Sequence, residues 1–254
     1  MQFRYPFKDH TVKAYWWRDI PNFGDAIAPL LLKRFADLDN VVWDTISHSS
    51  IASVGSILEH IPPLWEGYIL GSGKLRPDSR LFLYNRRAKI LALRGPLSAK
   101  GVLGTFALGD PGLLANELVG IQERAWDVGI VPHWKDKELA DRFTSLMPKK
   151  YSLKVIKCDD DPLDIVRQIG QCGKIVTSSL HGAIVADSFG IPRRIEACEK
   201  MSAEGGLFKF IDYSASISYP LNIGVLGTPL RRSVEQRKFE IYDAYRELKG
   251  LLKK

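Results

Sequence analysis

The chain alternates short apolar runs with segments whose apolar residues recur at helical spacing, which predicts strands and helices in turn. "KAYWW" (Lys13 to Trp17) predicts a strand and "RDIPNFGD" a turn. A helix is expected from about Ala26 to Phe35, with Asp25 as its cap. "SIASVGSIL", "GYILGSG" and "KILALRG" read as further strands. The last leads into the helix-like "PLSAKGVL", with Pro96 in the first turn, and "TFALGDPGLLA" adds a strand and a break. After Ala125 the pattern restarts with the strand "DVGIVPH", a helix near Lys137 to Leu146, the strand "SLKVIKC" and a helix near Pro162 to Gln171. "KIVTSSL" then suits a buried parallel strand, and "GAIVADSFG" a short helix ended by Gly190, Ile191 and Pro192. "RRIEA" fits the next strand. The charged segment "SVEQRKFEIYDAYRELKGLLKK" is a helix whose apolar side would carry Phe239, Ile241, Tyr242 and Tyr245 and pack back across the rest.

Strands alternating with helices argue for parallel sheets with right-handed crossovers, here in two successive sets. The boundary falls near Asn116 to Trp126, giving an N-terminal domain over 1–122, a C-terminal domain over 123–230 and a terminal helix over 231–254. With 254 residues, 45% of them apolar and 26% charged, the chain has the composition of a globular protein able to bury a substantial core.

The N-terminal stretch lacks the apolar segment and cleavage site of a signal peptide, and no run reaches membrane-spanning length, so the expected location is the cytoplasm. Cys158, Cys172 and Cys198 are widely spaced, which suits reduced thiols and supplies neither a disulfide framework nor a zinc pattern. A net charge of +7 favours anionic partners. The basic residues are spread along the chain without the basic-aromatic motif of a nucleic-acid reader, so no nucleic-acid partner is expected.

Ligands of open α/β sheets bind beyond the carboxyl ends of the strands, where helix N-termini offer free N–H groups and a positive dipole end. Four turns have that character: "NFGD", "GSGK", "RGP" and "SSLHG". In the last, Ser178, Ser179 and Gly182 would let backbone approach a ligand. His181 would meet an anion or exchange a proton, unless it caps the helix or sits satisfied in the core. Arg94 follows the strand "ILAL", and its planar fork suits phosphate or carboxylate, against the alternative of a surface ion pair. "GSGK" is no nucleoside-triphosphate loop, because Tyr68 stands where the first glycine belongs and Leu75 replaces the Ser/Thr. Its glycines read first as a strand-end turn. "GDPG" likewise reads as a tight turn, with Asp110 a secondary candidate, and "VPHW" places His133 at a strand end.

Taken in order from Asn22 to Pro192, "NFGDAIAP", "GSG", "LRGPLSAKGV", "GDPGLL", "VPHW" and "SSLHGAIVADSFGIP" resemble the polysaccharide pyruvyl transferase family, and "FKFIDY" (Phe208 to Tyr213) extends the match. The resemblance implies an α/β fold of two Rossmann-like domains in a GT-B-like arrangement, with the active site in the interdomain cleft. It implies transfer of pyruvate from phosphoenolpyruvate to a sugar as a cyclic ketal, on a lipid-linked oligosaccharide or polymer precursor, without cofactor or metal. The family's motif histidine falls on His181 and its arginine on Arg94. Ser178, Ser179, Gly182, Lys74, Asp25, His133 and Lys209 are the expected substrate-binding residues. A lipid-borne acceptor would be met at a membrane, and basic residues of the last helix, Arg246, Lys249, Lys253 and Lys254, are expected to favour reversible contact with acidic headgroups. The same architecture would serve a glycosyltransferase using a nucleotide sugar or a non-catalytic binder of phospho-sugars or glycans.

Overall fold

The computed structural model describes residues 11–79, 85, 87–136, 138–198, 200 and 205–253. In its first half, β1 (Thr11–Tyr15) leads through α1 (Phe23–Ala26) and α2 (Ala28–Ala36) to β2 (Asn40–Trp43). The strands β3 (Ile51–Ala52), β4 (Tyr68–Ser72) and β5 (Lys89–Leu93), the short α3 (Pro96–Ala99) and β6 (Ala107–Leu108) follow. A 3-10 turn at Pro111–Leu114 and α4 (Asn116–Val119) occupy the segment read as a boundary. The second half comprises β7 (Trp126–Val131), α5 (Glu138–Leu146), β8 (Leu153–Val155), α6 (Pro162–Gly170), β9 (Cys172–Thr177), α7 (Leu180–Phe189) and β10 (Arg193–Ile195). It continues with α8 (Phe208–Ser216) and β11 (Leu226–Gly227), and α9 (Arg231–Leu252) closes the fold.

These strands form two sheets. The first runs β2-β1-β3-β4-β5-β6 and is parallel throughout, with Ala14 of β1 opposite Ile51 of β3. The second runs β11-β10-β9-β7-β8 and is parallel except for β11, which pairs antiparallel with β10. Counted from its own first strand, the second sheet has the order 2-1-3-4-5 and the first the same order with a sixth strand added at the end, the other common doubly wound arrangement beside the 3-2-1-4-5-6 of dinucleotide-binding folds. In this order the chain reverses direction across the sheet between the first and third strands. A crevice therefore opens at β1/β3 in one sheet and β7/β9 in the other.

Each half keeps a smaller cluster of its own, around Ile57, Ile69 and Leu93 in the first and Ile130, Leu139 and Phe143 in the second, but the main core is shared. Val12, Leu31 and Leu70 of the first half share one apolar cluster with Ile165, Ile175 and Ile184 of the second. The join runs through α7, whose residues Leu180 to Ser188 are all buried, as expected of a helix that is apolar on every side. Gly190, left-handed at φ 69°, ends it where the sequence predicted. The terminal helix α9 returns to the first half, packing on α2, β4, β5 and β6, with Val234, Ile241, Tyr245 and Leu248 turned inward.

Some expectations needed correction. Asn22 is the cap of α1, accepting from the Gly24 N–H, while Asp25 sits inside the first turn; the expected single helix is two, joined at Ile27. Only Ile51–Ala52 of "SIASVGSIL" is strand. Phe239 is 61% exposed, because the buried stripe of α9 runs through Lys238 and Ile241 instead. The expected helix start at Lys137, Lys254 and the first ten residues lie outside the described residues. Among the described residues no helix is long and apolar enough to cross a membrane.

Candidate active site

A cavity of about 300 Å³ lies where the two crevices meet. Trp17, Asn22 and Asp25 reach it from beyond β1, Ser56, Ile57 and His60 from beyond β3, and Leu75 from beyond β4. His133 and Trp134 follow β7, Ser179, Leu180 and His181 follow β9, and Lys209 comes from α8. Larger hollows, of about 610, 560 and 440 Å³, open elsewhere among the described residues, but none of these three is lined by a histidine. The chemistry gathers in the smaller one.

His181 is the second residue of α7 and is 6% exposed. It does not cap the helix; Ser179 does, its Oγ accepting from the Gly182 N–H at 3.4 Å. Nor is the imidazole satisfied within the core. Among the described residues its Nε2 is buried without a hydrogen-bond partner, 3.7 Å from Asp110 Oδ2, which is buried and unpartnered as well. The ring rests on Gly24, where a Cβ would stand 2.0 Å from Nδ1, so a side chain at 24 would evict it. Gly182 has a different role from the ligand approach expected of it. Its vacant side faces Thr177 Oγ1, 2.4 Å from a would-be Cβ, and so lets α7 pack against the ends of β9 and β7.

Asp25 and His133 are both shaped by burial. Burial pushes the Asp25 carboxyl up to about 6, against the opposing pull of His181, of the 2.7 Å hydrogen bond from Asn22 and of Lys209. Near neutrality it therefore populates both its acid and its carboxylate forms. Burial, reinforced by Lys209 and Lys135, pushes the His133 imidazole down to about 3. It is neutral at physiological pH and can only offer a hydrogen bond to an anion, not a charge. The Lys135 N–H donates to its Nδ1 at 3.3 Å, which leaves Nε2 as the protonated nitrogen. Ser178 is fully buried, its Oγ accepting from the His133 N–H at 3.0 Å, so it stitches β7 to β9 behind the cavity.

Arg94 stands behind the cavity wall rather than in it. The residue is 0% exposed, and its Nε donates to Asp212 Oδ2 at 3.1 Å, its Nη1 to Ser56 Oγ at 2.6 Å and its Nη2 to the Lys74 carbonyl at 2.5 Å. The expected surface ion pair and the expected fork on a ligand are both replaced by a buried pair with α8. Asp212 also accepts from the Leu97 and Ser98 N–H groups, so a carboxylate of α8 caps α3 and neutralises Arg94 together. Gly73 is the seat of the guanidinium: a Cβ there would lie 2.2 Å from Arg94 Cζ. The "GSGK" turn thus cradles an arginine, not a phosphate. Lys74 points its Nζ at the Lys100 carbonyl, 3.3 Å away, and does not line the cavity.

Of the nine residues singled out in the sequence, Asp25, His133, Ser179, His181 and Lys209 meet around one space, whereas Ser178, Gly182, Lys74 and Arg94 build its walls. Asp212 is not among the residues expected in the site, and Asp110 is expected there only as a secondary candidate in a tight turn. The signal for Asp110 is the "GDPG" turn itself; Asp212 lies in "FKFIDY", which extends the resemblance, but nothing local marks it as the partner of Arg94. Trp17 and Trp134, one from each half, also flank the cavity.

A histidine, a carboxyl group titrating near neutrality and a lysine, assembled where parallel strands of two sheets end, equip an α/β protein to bind anions and move protons. The family to which that equipment belongs follows from comparison: the polysaccharide pyruvyl transferase model matches residues 22–195, and the chain belongs to that family. It is 27% identical over 212 residues to an uncharacterized protein of Acanthamoeba polyphaga mimivirus, covering 78% of this chain and 71% of that one. It is 28% identical over 199 residues to the succinoglycan biosynthesis protein ExoV of Rhizobium meliloti (strain 1021), covering 71% of this chain and 58% of the relative. No solved structure matches the chain at a significant level.

Proposed function

We propose that the protein transfers the pyruvyl group of phosphoenolpyruvate onto two hydroxyls of a sugar in a polysaccharide or lipid-linked precursor, as a cyclic ketal. The two sheets would act as the halves of a GT-B-like arrangement, with the 300 Å³ cavity as the active-site cleft. The observation that carries the reading is the meeting of His181, Asp25 and Lys209 at the strand ends of both sheets, within a family of pyruvyl transferases. The relation to a succinoglycan biosynthesis protein supports a polymer-bound acceptor. The positive net charge supports reversible contact with acidic headgroups if that acceptor is carried on lipid.

The donor is an enol ester with a phosphate and a carboxylate. Lys209 and the N-terminal end of α7 hold this negative charge, and neutral His133 donates a hydrogen bond. His181, as imidazolium, protonates the methylene carbon, leaving an oxocarbenium-like centre at the neighbouring carbon. A sugar hydroxyl adds there and gives its proton to His181, restoring the acid. The bond from that carbon to the phosphate oxygen then breaks, and a second hydroxyl closes the ketal while its proton leaves with phosphate. Asp25 orients an acceptor hydroxyl and, with its pKa near 6, can relay this second proton. Arg94 and Lys74 contribute by holding the wall that carries Ser56 and Leu75.

The test is incubation with phosphoenolpyruvate and a panel of sugar acceptors, read by mass spectrometry and phosphate release. A pyruvyl mass increment with stoichiometric phosphate is the expected result. Consumption of a nucleotide sugar instead, or saturable binding without turnover, would overturn the reading.

A further inference from the structure

Asp110 has two carboxylate oxygens, and its place in the fold uses only one. Oδ1 accepts from the Gly112 N–H at 2.9 Å and so caps the 3-10 turn at Pro111–Leu114. Oδ2 is not needed for that cap, is fully buried, has no hydrogen-bond partner among the described residues, and faces His181 Nε2 across 3.7 Å. A buried carboxylate oxygen left unsatisfied costs free energy, as does a buried ring nitrogen, so the juxtaposition of two such atoms calls for a reason. The gap is longer than a hydrogen bond and shorter than a water-mediated one, the separation of a contact that tightens when a site fills. Both partners are held from outside. Gly109 packs against Ile241 of α9, which pins the turn carrying Asp110, and the imidazole is seated between Gly24 and Gly112, with Phe23 edge-on at 6.5 Å.

We infer that Asp110 is the positioning carboxylate of His181: it holds the proton of the neutral ring on Nε2 and leaves Nδ1, over Gly24, as the nitrogen that gives a proton to the donor carbon and takes one from the acceptor hydroxyl. The inference rests on the pyruvyl-transfer reading for the identity of those two steps. It explains why the turn carries an acid, since serine or asparagine would cap it as well. It also places the two members of the pair on opposite halves of the molecule. The imidazole, carried by α7, is aimed only when the turn after β6 is docked against it.

The tautomer is measured on protein labelled with ¹⁵N-histidine, using long-range ¹H–¹⁵N correlation, with His181 assigned by comparison with His181→Gln. Wild-type protein is expected to show the Nε2–H form. Asp110→Asn keeps the cap oxygen but turns an amide N–H toward Nε2, so His181 should switch to Nδ1–H. With that switch, kcat for phosphate release from phosphoenolpyruvate should fall by roughly 10²–10⁴-fold while donor affinity stays about unchanged. A wild-type Nδ1–H ring would overturn the inference without any variant, so an Asp110→Asn chain that fails to fold does not shield it. An Asp110→Asn protein with the original tautomer and wild-type kcat would also overturn it. If the protein proves not to transfer pyruvate, the tautomer measurement still stands, so the two failures are distinguishable.

Discussion

Asp25 offers a test in which function and stability move in opposite directions. Its folded-state pKa, about 6, lies above the 3.8 of an ordinary aspartate, chiefly because the carboxylate is buried. Between about pH 4 and 6 the folded protein therefore holds a proton that the unfolded chain has already released. Stability contributed at this site is full at low pH, falls as pH rises through that window, and stays low above it. Because the group is buried from solvent, a rise from 3.8 to about 6 corresponds to about 3 kcal/mol. Asp25→Asn keeps the shape, and its amide oxygen can still accept the hydrogen bond that Asn22 donates, but no charge is ever buried. The variant should match wild type near pH 4 and exceed it by about 3 kcal/mol at pH 7 to 8, raising Tm by roughly 5–10 °C. Pyruvyl transfer should drop sharply in the same protein. Asp187, also raised to about 6 by burial, contributes the same sign, and His133, lowered to about 3, the opposite one. Both are present in wild type and variant, so the difference between the two urea-denaturation curves, taken pH by pH, isolates Asp25. Parallel stability profiles would refute the claim that this carboxyl is buried at a cost.

Three further perturbations bear on the site. His181→Gln preserves hydrogen bonding but cannot exchange a proton, so single-turnover ketal formation should fall by roughly 10²–10⁴-fold with Tm and calorimetric donor affinity retained; a wild-type rate in a folded protein removes His181 from the chemistry. Asp212→Ala strands the buried Arg94 guanidinium and uncaps α3, and should cost about 3–5 kcal/mol in urea unfolding, where a loss below about 1 kcal/mol would show that the pair does not clamp the halves. Gly24→Ala places a methyl 2.0 Å from His181 Nδ1 and should depress turnover far more than Gly250→Ala, whose new Cβ meets nothing within 4 Å; equal activity of the two variants would argue against a seated imidazole.

What the sequence made legible is what local chemistry decides. The strand–turn–helix passage at "SSLHG" is a short-range signal, and it placed His181 at the head of α7 and Gly190 at its end. The alternation of apolar runs likewise disclosed two parallel sheets. What stayed hidden depends on partners distant in sequence. Arg94 in "RGP" has the chemistry of an anion binder, and the carboxylate that claims it, Asp212, lies 118 residues further on. The glycines of "GSG" are read from sequence as room for a ligand, yet the space beside Gly73 is filled by that arginine. The strength of Asp25 as an acid could not be read either, because its pKa is set by burial beneath elements from both halves. A motif in this chain therefore names the place where backbone and side chains converge, while tertiary contact decides which side chains face the cavity and which hold it open. That division explains why the two residues the resemblance ranked together, His181 and Arg94, part company in the fold: the first lines the cavity, and the second binds together the walls around it.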